Sequence, residues 1–483
     1  MMRAFPVRYA SALLKPMGKS VRPKQRFKRL EHMKTVLQSI AVVLAALLAQ
    51  AAAAQGIYGD VNGDGEVTIA DVNAVISVIV GGTTPTPPPD EPDTAAVKVF
   101  DTNVSARHYY RIPAIVQMND GRLLAIADDR HNSDSDIGSN QGIDIVGKVS
   151  DNDGKTWGSA FIIADGNMRK QGFDNSHGDA AAAVDRETGK LLIMCASGKQ
   201  GFLASTLANP LLVGRYTSDD NGSTWKGQEV TSDIYGIFAS CPEVNALFFS
   251  SGRICQSQHI KQGEYYRIYS AICGPSGVGS LVLYSDDFGL TWQALGGPDA
   301  RPTTAPFGDE AKIEELPDGN VLLSCRSKQT ATSGRLFNIY DYKTNTWGEM
   351  AISNDPEAGT YSENCSCNGE LLIVPAKRVS DGRQVHLALQ SVPRGNGRQR
   401  VSIYYKELLD SSDYDEPLDF SRGWNCYQVT ESYSAYSTMI ATTSGNIAFF
   451  LEDCNDNIST SAYDLLFKTI SIKAITGGRY VKN

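Results

Sequence analysis

The sequence lacks a paired cysteine framework. Its nine cysteines are odd in number and irregular in spacing, which argues against a disulfide-stapled scaffold. Several stand in apolar runs, as Cys195 does in "LLIMCAS", where a buried thiol is the expected state. "CSC" at 365–367 lacks the spacing of a zinc ligand pair. After the first thirty residues there is no long basic block, and the net charge is −9, so nucleic acid is not an expected partner. No apolar run reaches the ~20 residues of a membrane span. What remains is a chain with 42% hydrophobic and 20% charged residues, the balance of a soluble protein with a substantial core. Its 44 glycines and 21 tyrosines lean toward a loop-rich, all-β, carbohydrate-type surface.

The first 55 residues read as an N-terminal extension and an export signal. Translation from Met33 would give "MKTVLQSIAVVLAALLAQAAAAQG", a lysine, an apolar run and then small residues near Ala54–Gln55. That order describes a secretory signal peptide, and the expectation is an exported protein that is periplasmic, cell-surface or secreted. The rival reading, a membrane anchor, is disfavoured by the short apolar run, and no cysteine follows it for lipid attachment.

Residues 56–82 hold "DVNGDGEVTIAD", in which Asp60, Asn62 and Asp64 fill positions one, three and five of a twelve-residue calcium loop. Gly65 makes the tight turn, Glu66 offers its carbonyl and Asp71 closes the loop; hard oxygen donors at alternate positions suit a hard cation. "VNAVISVIVGG" then has a helical apolar stripe ending in glycines. The segment resembles one half of a dockerin, the calcium-dependent docking module of bacterial carbohydrate-degrading systems, although dockerins pair two such loops and one is visible here. The resemblance implies calcium and a cohesin-like or other cell-surface partner; the bland alternative is an Asp/Gly-rich turn. Residues 83–94, with "TTPTPPPDEPD", form a semi-extended linker, so the main domain starts at Ala95.

Three octets punctuate that domain: "SDNDGKTW" from Ser150, "SDDNGSTW" from Ser218 and "SDDFGLTW" from Ser285, with a degenerate "YDYKTNTW" from Tyr340. Each sits between strand-like segments as a turn, with acidic side chains to accept turn N–H groups and glycine for a positive φ. At this spacing the roughly 390 residues from Ala95 onward hold about six repeats, which predicts a six-bladed all-β propeller. "DGRLLAIAD", "TGKLLIMCAS", "DGNVLLSCRS", "NGELLIVPA" and "SGNIAFFLED" are the glycine-then-strand segments expected once per blade.

The octets resemble the Asp boxes of the sialidase superfamily. Boxes also occur in propellers that only bind, so activity depends on residues that occur once. Arg111 in "YYRIPAIV" resembles the family arginine that binds the substrate carboxylate. "FGDEAKIEELPDGNVLLSCRS" resembles the stretch that supplies a glutamate and a second arginine, here Glu310 and Arg326. "SVPRGNGRQRVSIYYKEL" offers the third arginine as Arg398, with Arg400 as runner-up. Three guanidinium groups on one carboxylate select sialic acid, the common sugar with a carboxylate on its anomeric carbon. Beside that carboxylate a neutral tyrosine is a better nucleophile than an anionic side chain. "SAYSTMIATTSGNIAFFLED" resembles the nucleophile segment and implies Tyr436, activated by Glu310, with Tyr433 as the nearby competitor.

The loop "DDRHNSDSDIGSNQGIDIVGKVSDNDG" resembles the one bearing the acid/base aspartate, which implies Asp136, with Asp134 as its neighbour, and Arg130 as a further substrate arginine. Asp179, in "DNSHGDAAAAVDRETGK", is a candidate substrate contact. The resemblance implies a retaining exo-α-sialidase acting on sialylated glycoconjugates, without a metal in the chemistry. The alternatives are a trans-sialidase, intermolecular or intramolecular, and a sialoglycan-binding propeller without turnover.

Overall fold

A computed structural model describes residues 95–483 apart from short segments at 140–141, 167–174, 303, 305–306, 328–332, 365–366 and 455–461. The chain divides into two compact units, Met1–Asp90 and Glu91–Asn483. The expected signal segment, the calcium-loop residues Asp60, Asn62, Asp64, Glu66 and Asp71, and the linker lie outside the described residues.

The second unit is all-β, and its described strands form six sheets. In the first, His108–Gln117, Leu123–His131, Ile143–Ser150 and Phe161–Ala164 pair in chain order. The second runs His177–Val184, Leu191–Ser197, Leu212–Ser218 and Lys226–Glu229, with the short Gly252–Arg253 parallel to its leading strand. In the third, Phe248–Phe249 and Cys255–Gln262 both pair with Tyr265–Cys273, which is followed by Ser280–Ser285 and Gln293–Ala294; the fourth is led by Gly308–Glu315 with Val321–Ser327 and Arg335–Asp341. The fifth contains Leu371–Arg378, Gln384–Pro393 and Val401–Leu408, and the chain's last strand, Tyr480–Lys482, lies along its edge. The sixth contains Tyr433–Ala441, Ile447–Cys454 and Asp464–Ile470. Its outer place is taken by Val97–Phe100, antiparallel to Asp464–Ile470, so the unit's first strand completes the sheet built from late strands.

Six hydrophobic clusters lie between successive sheets. Leu124 and Ile126 of the first meet Leu191 and Ile193 of the second, and Phe449 of the sixth meets Leu387 of the fifth. Ile115 and Leu123 of the first meet Phe450 and Phe467 of the sixth, so the packing returns to its starting point. This is why strands such as "LLAIAD" and "LLIMCAS" are apolar on both faces: each is covered on both sides, and alternation would bury polar groups. Among the described residues, no helix is long and apolar enough to cross a membrane.

The octets are turn staples. In the second, Ser218 Oγ donates to Asp220 Oδ1 at 2.8 Å and accepts from Gly222 N–H at 3.0 Å. Asp220 also takes the Thr224 N–H at 2.8 Å and its hydroxyl at 2.6 Å, and Trp225 Nε1 donates to the Gly222 carbonyl at 3.0 Å. The third octet repeats the Ser285, Asp287, Gly289 and Thr291 bonds, and the first repeats them with Asn152 in the acidic place. The acceptor is thus the second residue after the serine; Asp151, directly after Ser150, is exposed and makes no side-chain hydrogen bond among the described residues. The octets also join sheets. Trp157 packs edge-on against Phe467 of the sixth sheet at 5.3 Å, and Trp347 of the degenerate octet donates to Leu295 O of the preceding sheet at 3.4 Å.

Candidate active site

Four sheets deliver candidate side chains from their leading strands, and each of those strands breaks register at the delivery point. Pairing shifts between Arg111 and Ala114, between Gly178 and Ala181, between Gly308 and Ala311, and between Ser434 and Ser437. The shifts therefore fall at or around Arg111, Asp179, Glu310 and Tyr436. A bulge adds a residue against its partner strand and re-aims the side chain it carries. Ile112 and Asp179 accept positive φ values of 57° in the process, a strain concentrated where these residues converge.

At the centre stands Tyr436, 8% exposed. Its hydroxyl donates to Glu310 Oε2 at 2.6 Å and accepts from Arg326 Nη1 at 2.7 Å. Arg326 is also ion-paired with Glu310. Three guanidinium carbons surround the tyrosine ring: Arg111 and Arg326 at 5.9 Å from its centroid, and Arg398 at 5.4 Å. Ile112, Ala435, Cys454 and Tyr463 complete an apolar wall around the ring. Burial pushes the Tyr436 hydroxyl well above the ordinary tyrosine range, and the Glu310 charge adds to this against the opposing pull of Arg326 and Arg398. The phenol is therefore held in its neutral form, hydrogen-bonded to the Glu310 side chain.

The rim candidates stand on the first two sheets. Arg130, 1% exposed, reaches Asp128 Oδ2 at 2.9 Å, the Asp134 carbonyl at 2.7 Å and Asp136 Oδ1 at 2.5 Å. Between the two loop aspartates the structure distinguishes sharply: Asp134 offers its main chain to Arg130, and Asp136 offers its carboxylate. The Asp136 side chain is 82% exposed. Partial desolvation raises its pKa, but Arg130, then Arg111 and Arg398, outweigh this and hold the carboxyl below its usual value. Asp179 is held near the same cluster by its N–H, which donates to Asp128 Oδ1 at 3.1 Å. Burial, reinforced by Asp128 and Asp136, lifts the Asp179 carboxyl well above the carboxylate range. Burial likewise pushes Asp128 up to about 6 against the pull of Arg130.

The runner-up residues stand apart. Arg400 is exposed with φ 54°, two residues beyond Arg398. Tyr433 is 38% exposed at the start of the strand that carries Tyr436.

Two residues escaped the sequence reading. Glu452 is fully buried and takes Arg111 Nε at 2.7 Å, the Ile112 N–H at 2.9 Å and the Tyr436 N–H at 3.1 Å. Its signal was a glutamate inside the apolar run "AFFLED", a placement that requires a buried partner. Asp128, fully buried, organises Arg130 and Asp179 in the same way.

The sequence profile of a family described as BNR repeat-like domain matches residues 121–448, more than half of the chain. The chain belongs to that family. Among curated relatives it is 28% identical over 383 residues to a sialidase of Micromonospora viridifaciens, a match covering 76% of this chain and 53% of that protein. It is 26% identical over 354 residues to a sialidase of Paraclostridium sordellii, covering 67% of this chain and 77% of that protein. The chain thus spans about half the length of the Micromonospora protein. Among solved structures, a Hadza microbial sialidase superposes with TM-score 0.60 at 23% identity, over 79% of this chain and 69% of that one. The intramolecular trans-sialidase of Ruminococcus gnavus does so with TM-score 0.59 at 17% identity, over 79% of this chain and 98% of that one. At these identities the structural likeness speaks for the fold.

Proposed function

We propose that residues 95–483 form a six-bladed β-propeller, each of the six sheets being one blade, that works as a retaining exo-α-sialidase on terminal sialic acids of glycoconjugates. The observation that carries this reading is Tyr436, with its hydroxyl hydrogen-bonded to both Glu310 and Arg326 and its ring surrounded by three guanidinium groups. Arg111, Arg326 and Arg398 bind the sugar carboxylate by charge-assisted bonds. Tyr436 attacks the anomeric carbon as Glu310 takes its proton, and Asp136 protonates the departing glycosidic oxygen. Asp136 then removes a proton from water, which cleaves the tyrosyl–sugar bond from the opposite side, and Glu310 returns its proton to the phenol. Two displacements at one carbon retain its configuration. Charge in the transition state is met by the arginines. Arg130 and Asp179 line the sugar's far side.

The test is turnover of a 4-methylumbelliferyl sialoside by wild type, Tyr436→Phe and Glu310→Gln. Each variant is expected to lose at least about 10²-fold in kcat. Equal activity in all three, or an inert wild type across a broad pH range, rejects the assignment. Product NMR with a sialylated oligosaccharide should show free sialic acid released first as the α-anomer; an anhydro sugar or a new sialoside would reassign the chain to transfer.

For the segment before the domain we propose export directed by the stretch from Met33 to Gln55 and calcium binding by Asp60, Asn62, Asp64, Glu66 and Asp71. Their support is the sequence pattern, and calcium titration of the full chain against Asp60→Ala/Asp64→Ala tests the loop.

A further inference from the structure

Behind the arginine-lined face of the first sheet lies a second cluster that the proposed chemistry does not use. Side chains alternate along a strand, so Asp128 and Arg130 turn to one side while Asp129 and His131 turn to the other. His108 stands directly across from His131 in the neighbouring strand. The two imidazole rings meet edge to face at 4.8 Å, and His108 Nδ1 lies 2.9 Å from Asp129 Oδ1. One ligand atom from each of His108, Asp129 and His131 falls within 4.8 Å of the others.

We propose that His108, Asp129 and His131 form a site for a zinc-class divalent cation, with Asp144 as the carboxylate that orients His131. His131 Nε2 lies 2.9 Å from Asp144 Oδ2, so its other ring nitrogen is the one left to ligate. Asp144 is itself fixed, because its Oδ1 accepts the Gly166 N–H at 2.7 Å. A histidine held by a carboxylate through its second nitrogen is the usual outer support of a metal-bound imidazole, setting both tautomer and ring plane. Two imidazoles and one carboxylate suit zinc and its borderline neighbours; calcium and magnesium call for oxygen donors throughout. The His108 side chain is 39% exposed, which leaves an entry path and a fourth position for water. Binding requires the ligand atoms to close to the ~2.0–2.2 Å metal distances, a movement of side-chain torsions, and replaces the His108–Asp129 hydrogen bond. The site lies on Arg130's strand, where the loop to Asp136 begins, so the metal would tie His108 to the base of that loop.

The experiment uses the full chain, stripped with EDTA and titrated with zinc chloride against a chromophoric zinc indicator. One tight equivalent is expected in the wild type. His108→Gln and His131→Gln should remove it, Asp144→Asn should weaken it about 10–100-fold, and His259→Gln, an exposed histidine elsewhere, should leave it unchanged. Calcium in excess should not displace it, which separates it from the Asp60–Asp71 loop. Absence of a stoichiometric equivalent, or its retention in both histidine variants, overturns the proposal. Should a histidine variant fail to fold, the wild type alone suffices: zinc must protect His108 and His131 from diethyl pyrocarbonate, read by peptide mass spectrometry, and equal labelling with and without zinc overturns it. All these readouts are of binding, so they stand or fall independently of sialidase activity.

Discussion

Arg111 and Glu452, 341 residues apart in the chain, form a buried pair in which both carboxylate oxygens are engaged by the guanidinium, at 2.7 and 3.3 Å. The same carboxylate takes the main-chain N–H groups of Ile112 and Tyr436, so one side chain fixes two bulged strands on different sheets. The pair thus holds one arginine of the proposed carboxylate cradle and the main chain of the proposed nucleophile.

Removing Glu452 leaves Arg111 buried and unpaired and two N–H groups without an acceptor. Glu452→Ala is expected to cost about 3–5 kcal/mol of stability, visible as a lowered thermal midpoint. Glu452→Gln keeps the shape and the acceptor oxygen and should cost clearly less, while raising KM more than it lowers kcat. Equal stability of wild type and the alanine variant by chemical denaturation would contradict this account.

The second prediction concerns pH. In the free protein Arg130, Arg111 and Arg398 hold Asp136 below its usual pKa. A substrate carboxylate seated among the arginines offsets part of that positive charge and raises the Asp136 pKa. kcat/KM reports the free protein and kcat the complex. The alkaline limb assigned to Asp136 should therefore fall at higher pH in kcat than in kcat/KM with 3′-sialyllactose, whose poor leaving group needs the acid. Coincident limbs, or the reverse order, would remove Asp136 from the role.

Much of this was open to reading in the residues, and the exceptions share a cause. Arg111, Glu310, Arg326, Arg398 and Tyr436 each stand in a short segment whose neighbours mark them, and the structure brings all five together. Glu452 carries no such flag: it ends an apolar strand, and its meaning lies in a partner 341 residues away. The bulges at Arg111 and Tyr436 were equally hidden, because a bulge is a mismatch between two strands and neither strand records it alone. The octets marked the turns of three sheets, but the last two sheets lack them, and the edge strand Tyr480–Lys482 has no periodic signal at all. Within the octet, the first acidic position looked equal to the second until the hydrogen bonds separated them.

The octet glycines offer a matched comparison. Gly154 and Gly222 have φ values of 80° and 79°, so alanine is strained equally at both. A Cβ on Gly154 would lie 1.9 Å from the Phe467 ring, whereas on Gly222 its nearest neighbour is Leu191 at 3.6 Å. Gly222→Ala should cost about 1 kcal/mol from the backbone alone. Gly154→Ala should cost about 1–3 kcal/mol more, because it pushes apart the first and sixth sheets. Sialoside turnover per folded molecule should change in neither. Similar denaturation midpoints for the two variants would show that the first octet is not a close joint between sheets.

His177 sets the final prediction. It is 1% exposed, with Nδ1 2.9 Å from Ser197 Oγ and its ring edge-on to Tyr216. Burial pushes its pKa down to about 4, with Asp144 and Asp165 opposing weakly. In the unfolded chain a histidine titrates near 6.5. Between about pH 4 and 6.5 the unfolded state therefore binds a proton that the folded state refuses, and stability rises with pH across that window. The contribution is complete above the unfolded value and is lost as pH falls through the folded one. Its size is about 3–3.5 kcal/mol by linkage. His177→Gln, which cannot take up the proton, should start from a lower stability at pH 7 and lose less on acidification to pH 4.5. Parallel urea-denaturation curves against pH for wild type and variant would mean that His177 is protonated in the fold after all.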